Sequence, residues 1–179
     1  MKRLREGLLY PALAGALYTG MTMALAPLSY GAVQCRVSEA LCVLPFFLPE
    51  TAVGLALGCA AANTLSAAGA LDVVFGSFAT LLAGLCTARL GRSYRKSGVW
   101  PRFRVRLAAV LMPVVWNALV IGAVLAVAYL PADGIGRGWA LFAAQIAAGE
   151  LAAMLLAGLP LMRLLRKAGP GLSRWLRHC

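Results

Sequence analysis

Long apolar runs, separated by short polar or proline- and glycine-containing stretches, dominate the chain. Runs of about 17 to 25 apolar residues are long enough to cross a bilayer as helices. The runs predict helices at about residues 8–28, 38–48, 50–66, 71–90, 104–130 and 139–165. Pro27, Pro49, Pro131 and the glycine-rich stretch 134–138 separate them. The pattern predicts an all-α integral membrane bundle of six transmembrane helices, forming one domain over residues 1–179.

The second of these runs is too short to cross a bilayer. About eleven residues of α-helix are only about 16 Å long. A segment of that length cannot leave its ends exposed to hydrocarbon, because unsatisfied backbone groups are costly there. We therefore expect residues 38–48 to span only partially and to contact other helices and not lipid.

Composition and charge agree with a membrane protein. The chain of 179 residues is 61% hydrophobic and 13% charged, whereas a soluble domain is nearer half apolar and a quarter charged. Most basic residues fall in three blocks: the N-terminus, a predicted cytoplasmic loop at 89–106, and a C-terminal tail at 163–179. Six crossings place all three blocks on one side, as the positive-inside rule requires. We predict a multi-pass plasma-membrane protein of bacterial type with both termini cytoplasmic, surrounded by lipid and without a nucleic-acid partner.

The sequence offers little catalytic chemistry. The five cysteines form no CxxC pair, and the single histidine, His178, lies in the basic tail. Neither GxxxxGK[ST] nor HExxH occurs. We therefore expect no enzymatic activity, no metal and no cofactor. The N-terminus resembles a signal peptide, but Pro27 directly after Ala24-Leu25-Ala26 disfavours cleavage, so we interpret it as a retained first span.

A few polar residues near or within the apolar runs are the candidates for function. Ionisable groups at membrane depth cost about 2.5 to 3.5 kcal/mol and are candidates for function by default. The predicted topology places most of them toward the outer side, where they could converge on one outward-facing cavity. The candidate ligand-binding residues are Arg36, Glu39, Asp72, Asn117, Gln145 and Glu150. Glu50 falls on the inner side and is interpreted as a helix-start acid.

Three of these candidates also have structural interpretations. Glu39 would lie in the first turn of the second helix, where an acid is favoured by the helix dipole. Arg36 could simply pair with it. Asp72 could be only an N-cap of the fourth helix.

Of the three candidates in the last two helices, two also have structural interpretations and one does not. Asn117 could bond a carbonyl group that Pro113 leaves without its amide donor. Gln145 could join two helices by a hydrogen bond. Glu150 lies mid-helix in AAGELAAM, where no helix-end explanation applies. Carboxylates and amides with few cations suit a neutral or cationic polar ligand.

Small residues recur every fourth position on three predicted helices. Such faces let helix backbones approach closely. The first helix carries Ala12, Ala16, Gly20 and Ala24, the third carries Gly54, Gly58, Ala62 and Ser66, and the fourth carries Gly76, Thr80, Gly84 and Ala88. For the third and fourth helices we expect internal packing.

Five segments carry a family resemblance. They read TMALAPLSYG, QCRVSEALCVLPFFLPE, LDVVFGSFATLLAGLCT, WNALVIG and GELAAMLLAGLPL. Over about residues 14–167 the chain resembles the QueT family, the predicted queuosine-precursor substrate-binding (S) components of energy-coupling factor (ECF) transporters. The basic segment and the C-terminal tail contain no motif of that family that we identify.

The resemblance implies a partner and a docking surface. S components are small six-helix membrane proteins that bind a vitamin-like molecule near the outer face. Energy comes from a separate ECF module, which consists of two cytoplasmic ATPases and a transmembrane scaffold subunit. Docking through small residues of the first helix would use Ala12, Ala16 and Gly20 here.

The resemblance also implies a ligand, a 7-deazaguanine such as preQ1 or preQ0. A carboxylate, from Glu150 or Glu39, would accept bonds from the ring N–H and amino groups, as carboxylates do from base edges elsewhere. Asn117 would bond the ring carbonyl or N–H, and Asp72 is a candidate for the aminomethyl cation of preQ1. The loop 30–37 would close over the site.

Other functions stay open at this point. The chain could be an S component for a different vitamin. It could be a stand-alone carrier of a small polar solute, driven by protons, with Glu150 and Glu39 as relays. It could also be a membrane scaffold or assembly factor that transports nothing.

Overall fold

Helices make up all the regular structure in the part of the chain that is described. The computed structural model describes residues 2–29, 35–66, 69–131 and 134–178, and no strand occurs among them. The helices are α1 (Lys2–Ala24), α2 (Ala26–Ser29), a 3-10 helix (Val37–Phe46), α3 (Thr51–Asn63), α4 (Ser77–Ser97), α5 (Phe103–Tyr129), α6 (Ile135–Ala153) and α7 (Leu159–His178). Two π-helical turns, Asp72–Gly76 and Met154–Gly158, lead directly into α4 and α7. The prediction of an all-α chain is confirmed.

Among the described residues, three continuous helices are long and apolar enough to cross a bilayer. They are Asp72–Ser97, Phe103–Tyr129 and Ile135–Ala168. Val37–Phe46 and Thr51–Asn63 are apolar but shorter. The membrane class of the chain therefore follows from its helices, while the count of six spans stays a prediction.

The basic segments are more helical than we predicted. The predicted loop 89–106 is reduced to residues 98–102, because α4 continues to Ser97 and α5 begins at Phe103. Gly98 ends α4 in the left-handed conformation, with a φ of 69°, and its N–H donates to the Tyr94 carbonyl at 2.8 Å. The predicted tail 163–179 is helical to His178. Arginine and lysine favour helices, so their abundance did not mark a loop.

The short second run forms a 3-10 helix, which we call the central helix (Val37–Phe46). A 3-10 helix rises about 2.0 Å per residue, so ten residues extend roughly 20 Å, against about 15 Å for an α-helix. Its buried residues are Ser38, Glu39, Ala40, Leu41, Cys42, Val43, Pro45 and Phe46. The expectation that this segment contacts other helices is confirmed.

The hydrophobic core lies on both sides of the central helix. One cluster joins Leu41 and Cys42 to Tyr18 of α1 and Leu55 of α3. The second joins Val43 and Phe46 to residues of α5, the second π turn and α7, namely Ala109, Val110, Val114, Met154 and Met162. Burial of these apolar side chains fixes the central helix between the other helices.

Close packing between α1 and α3 depends on glycine. A Cβ atom at Gly54 would overlap the backbone of Pro11, and one at Gly58 would overlap Gly15. On α4, a Cβ at Gly84 would lie 2.9 Å from the Cβ of Ala52. The predicted small-residue faces of the third and fourth helices are buried, so their internal packing is confirmed.

The small-residue stripe of α1 behaves differently. Ala12, Ala16 and Gly20 are exposed, and nothing lies within 4 Å of a Cβ placed at Gly20. The buried face of α1 carries Ala14 and Tyr18 instead. Within the described residues, this stripe is therefore an outer surface of the bundle.

The two ends of the central helix lie in different surroundings. At its C-terminal end, Arg95 donates to the carbonyl oxygen of Phe46 at 2.6 Å and to that of Pro45 at 3.3 Å. Trp100 follows α4 and lies under the guanidinium of Arg166, 4.7 Å from the ring centre. This end of the bundle therefore carries the basic loop and the start of the basic tail, and the N-terminal end of the central helix points away from it.

Candidate functional site

Glu150 and Asn117 form a buried pair between α6 and α5. The Asn117 side-chain amide donates to Glu150 Oε1 at 2.7 Å. Glu150 is 2% exposed and Asn117 3%. Asn117 therefore donates to Glu150, and not, as the structural interpretation had it, to a carbonyl group near Pro113. A mid-helix carboxylate is thus oriented by a neutral amide.

Glu39 lies in the first turn of the central helix and contacts α1. The Tyr18 hydroxyl donates to Glu39 Oε1, and the Cys42 thiol donates to Oε2 at 3.1 Å. One turn along α1, the Thr22 and Ser38 hydroxyls are hydrogen-bonded to each other at 2.7 Å. Glu39 has no exposed surface. Its carboxylate is therefore held by side chains and does more than complement a helix dipole.

Arg36 and Asp72 form a buried ion pair at the N-terminal end of the central helix. Arg36 Nη2 lies 3.3 Å from Asp72 Oδ2. Asp72 begins the π-helical turn before α4, and its side chain does not cap that turn. The structure therefore differs from two of the structural interpretations. Arg36 pairs with Asp72 and not with Glu39, and Asp72 does not act as an N-cap.

Arg36 connects the two groups of acids. It lies within electrostatic range of Asp72 and Glu39, and Glu150 lies within range of both Glu39 and Arg36. The cluster of Arg36, Glu39, Asp72, Asn117 and Glu150 therefore draws on four separate parts of the chain. The Arg36–Asp72 and Asn117–Glu150 pairs and Glu39 are therefore linked by contact or by charge. We call them the polar cluster.

Three buried oxygen atoms of this region have no hydrogen-bond donor among the described residues. They are Glu150 Oε2, Asp72 Oδ1 and Asn63 Oδ1. Leaving a buried polar atom unsatisfied costs about 1 to 3 kcal/mol, so folded proteins retain few of them. All three are acceptors, and a ligand with N–H donors would satisfy them.

The polar cluster is buried: none of its five residues is more than 3% exposed. Two apolar grooves lie elsewhere on the surface of the described residues. One, of about 610 Å³, lies between α1 and α3, and the other, of about 550 Å³, lies between α3 and α4. Ligand binding by these residues and the outward-facing cavity both stay predictions. Residues 30–34 of the predicted closing loop lie outside the described residues.

Gln145 differs from the other predicted site residues and lies outside the polar cluster. Its side chain is exposed, while Glu150 on the same helix is buried. Five residues rotate an α-helix by 500°, so the two side chains point about 140° apart. Glu50 lies outside the polar cluster too: it directly precedes α3 and borders the groove between α1 and α3. Its interpretation as an acid at a helix start agrees with this position.

Two polar residues at the site were missed by the sequence analysis. Tyr18 is on the buried face of α1, four residues after Ala14, a spacing that could have identified that face. Asn63 is the only amide in the third apolar run and has no exposed surface. An amide in an apolar run was the signal that could have found it.

These features define a class of protein. Long apolar helices enclose a charged and amidic cluster that has no contact with solvent. The chain is a multi-pass membrane protein with an internal polar site. It belongs to the QueT transporter family, whose sequence model matches residues 8–167. The resemblance identified from the sequence motifs is confirmed.

One curated relative adds to this assignment. The chain is 38% identical over 73 residues to the queuosine precursor transporter QueT of Lactococcus lactis subsp. cremoris (strain MG1363). The alignment covers 40% of this chain and 43% of the relative, so the chain matches less than half of that protein's length. No solved structure matches the chain.

Proposed function

We propose that this chain is the S component of an ECF-type transporter. It captures a queuosine precursor, a 7-deazaguanine such as preQ1 or preQ0, at the outer face for ATP-driven uptake through a separate ECF module. Membership of the QueT transporter family and the name of the Lactococcus relative support the substrate class. The ATPase activity would come from the module, because the chain contains no P-loop.

The observation that carries the proposal is the buried Glu150 carboxylate. One oxygen is occupied by Asn117, and the other has no donor among the described residues. The pyrimidinone edge of a 7-deazaguanine offers a ring N–H and an exocyclic amino group as donors. Hydrogen bonds to a charged acceptor contribute about 1.5 to 3 kcal/mol each, so these donors would favour binding at Glu150.

Arg36 and Glu39 add polarity of both signs near Glu150. The Glu39 carboxylate accepts hydrogen bonds from Tyr18 and Cys42. A ligand that reaches Glu39 would have to replace or share these bonds. We therefore assign Glu150 and Asn117 to the ring edge, and Glu39 to a position that becomes available once α1 adjusts.

Calorimetry on the purified protein in detergent tests this assignment. Titration with preQ1, preQ0, guanine and a set of B vitamins should give saturable binding of at least one deazaguanine and weaker or no binding of the vitamins. Binding of a vitamin alone would redirect the proposal to a different S component. Binding of none would remove the S-component function.

The exposed stripe of α1 supports docking of the ECF module. Ala12 and Ala16 line the groove of about 610 Å³ between α1 and α3. Small residues let another helix approach closely in a bilayer. A helix of the transmembrane scaffold subunit could lie along this groove, at the end of which Glu50 is located.

Ala16→Leu tests docking separately from binding. A leucine fills the groove without touching the polar cluster, so ligand affinity should stay unchanged while ATP-driven uptake with the reconstituted module falls at least tenfold. The matched control is Ala148→Leu, because Ala148 is exposed on α6. Normal uptake by the Ala16 variant would exclude this surface as the docking site.

The orientation in the membrane is part of the same proposal. With six spans and both termini cytoplasmic, Arg36 and Asp72 face outward, and Trp100 and Arg166 face the cytoplasm. The location of these pairs at different ends of the central helix supports this orientation. Cysteines introduced at positions 69 and 99 should react with an impermeant thiol reagent from the outside and the inside, respectively.

A proton-driven carrier is the alternative that one observation favours. Two buried carboxylates, Glu39 and Glu150, lie within electrostatic range of each other, and such acids can relay protons through a membrane protein. Liposomes that contain only this chain separate the two functions. Uptake driven by a pH gradient without any ATPase would establish the carrier.

A further inference from the structure

A second group of unsatisfied acceptors lies next to the Arg36–Asp72 ion pair. The Asn63 side-chain amide donates to the Asp72 carbonyl oxygen at 2.9 Å. This bond fixes the orientation of the amide, so that Asn63 Oδ1 is the atom left to accept. Asp72 Oδ2 pairs with Arg36, whereas Asp72 Oδ1 has no donor among the described residues. Asn63 and Asp72 are 0% and 1% exposed.

Gly76 brings these two side chains together. A Cβ atom at Gly76 would overlap the Asn63 amide nitrogen and would lie 3.2 Å from Asp72 Oδ1. Asp72 and Gly76 are the first and last residues of the π-helical turn, and single π turns inside α-helices occur frequently at functional sites. A side chain at this position would displace the Asn63 amide and crowd Asp72 Oδ1.

We propose that Asn63, Asp72 and Gly76 form a subsite for a protonated primary amine on the ligand. The ammonium group would donate to Asp72 Oδ1 and Asn63 Oδ1, the two oxygens that have no donor of their own. This inference rests on the proposed function and deepens it, because it states which deazaguanine substituent the protein selects. An aminomethyl group at C7, as in preQ1, fits the subsite, and a nitrile, as in preQ0, does not.

The chemistry of the two oxygens disfavours a nitrile, an anion and a metal ion. A nitrile nitrogen is an acceptor and would meet only acceptors there. An anion would be repelled by the Asp72 carboxylate. A metal ion such as Ca²⁺ takes six to eight oxygen ligands, and among the described residues no group of three potential metal-ligating side chains occurs. An ammonium group supplies three N–H donors in a small volume and so matches the site.

Arg36 links the subsite to the ring-binding pair of Glu150 and Asn117. Arg36 is paired with Asp72 and also interacts electrostatically with Glu150. A ligand whose ring edge bonds Glu150 could therefore extend past Arg36 toward Asp72. The Arg36 charge would then be shared between the two acids and would not repel the ammonium group alone, because Asp72 keeps one oxygen for each cation.

Calorimetric titration of preQ1 and preQ0 into wild-type protein and into an Asn63→Leu variant tests the subsite. Wild-type protein should bind preQ1 about 10- to 100-fold more tightly than preQ0. This difference in affinity is the one expected when preQ0 lacks one charge-assisted hydrogen bond, or slightly more, that preQ1 makes. Asn63→Leu should weaken preQ1 by a similar factor and leave preQ0 within about twofold. The matched control is Gln145→Leu, which makes the same change at an exposed amide of α6.

A second variant keeps the test valid if Asn63→Leu does not fold. Asn63→Asp retains an acceptor oxygen and adds a charge, so the preference for the amine should persist or increase. Equal affinity of wild-type protein for the amine and the nitrile would overturn the subsite and leave the proposed function standing. So would an equal loss of both ligands in the Asn63 variant, which would indicate a structural role or a bound water. If neither deazaguanine binds wild-type protein, the proposed function falls and the subsite with it.

Discussion

Glu150→Gln isolates the negative charge of the polar cluster. The substitution keeps the size of the side chain. It also leaves a carbonyl oxygen that can accept the hydrogen bond from Asn117, which is 2.7 Å long with Glu150 as the acceptor. In place of the Oε2 atom, which has no donor among the described residues, it puts an amide nitrogen. A donor would then face the N–H groups of a ligand. Binding should weaken while the fold stays intact.

The expected loss follows from the number of bonds at that oxygen. One hydrogen bond to a charged acceptor contributes about 1.5 to 3 kcal/mol, which is about a 10- to 150-fold increase in Kd. Stability should change in the opposite direction. Glu150 is 2% exposed and near the Glu39 carboxylate. Removing a buried charge eliminates its desolvation cost and its repulsion from Glu39, so the ligand-free variant should unfold at the same temperature or a higher one.

Two measurements on protein in detergent check this prediction. Calorimetric titration with a 7-deazaguanine gives Kd, and thermal unfolding without ligand gives stability. The matched control is Glu50→Gln, which makes the same change at an acid that borders the groove between α1 and α3. It should leave Kd within about twofold. Unchanged affinity in the Glu150 variant would refute our placement of the site. A lower unfolding temperature together with weaker binding would show that Glu150 serves the fold.

Two further predictions concern bonds of the central helix, and both are measured by unfolding in detergent. Tyr18→Phe leaves Glu39 Oε1 without its donor and should lower the free energy of unfolding by about 1 to 3 kcal/mol. The control, Tyr129→Phe at an exposed ring, should change the free energy of unfolding little. Equal effects of the two substitutions would contradict the buried hydrogen bond. Arg95→Ala removes the bonds to the C-terminal carbonyls of the central helix and should cost about 1 to 2 kcal/mol, and the exposed Arg92→Ala is its control. An equally large loss of stability in the Arg92 variant would indicate that the positive charge, and not these hydrogen bonds, stabilises the fold.

Much of the fold could be predicted because hydropathy and helix-breaking residues are properties of the chain itself. The predicted run 104–130 corresponds to Phe103–Tyr129, and 50–66 corresponds to Thr51–Asn63. The basic loop was drawn too long because arginine and lysine are favourable in helices, and only Gly98 with its left-handed backbone marked the end of α4.

The candidate site was only partly predictable. Arg36, Glu39, Asp72, Asn117 and Glu150 were found because charged and amide side chains are rare in apolar helices and are costly to bury without a partner. The same reasoning included Gln145, which is exposed. Rarity in the sequence identifies which residues are candidates, but it does not show the direction in which each side chain points.

The sequence by itself therefore determined the class of protein, the approximate helices and the identity of the buried charges. Only the tertiary structure decided which groups pair: Tyr18 with Glu39, Arg36 with Asp72, and Asn117 with Glu150. The physical reason is rotational. A 3-10 helix turns once every 3.0 residues, and a π turn needs more residues than an α turn, so the central helix and the π turns rotate side chains away from the faces that a uniform 3.6-residue period assigns. Which faces meet is then set by packing at contacts such as Gly54 with Pro11, and a linear pattern does not contain that information.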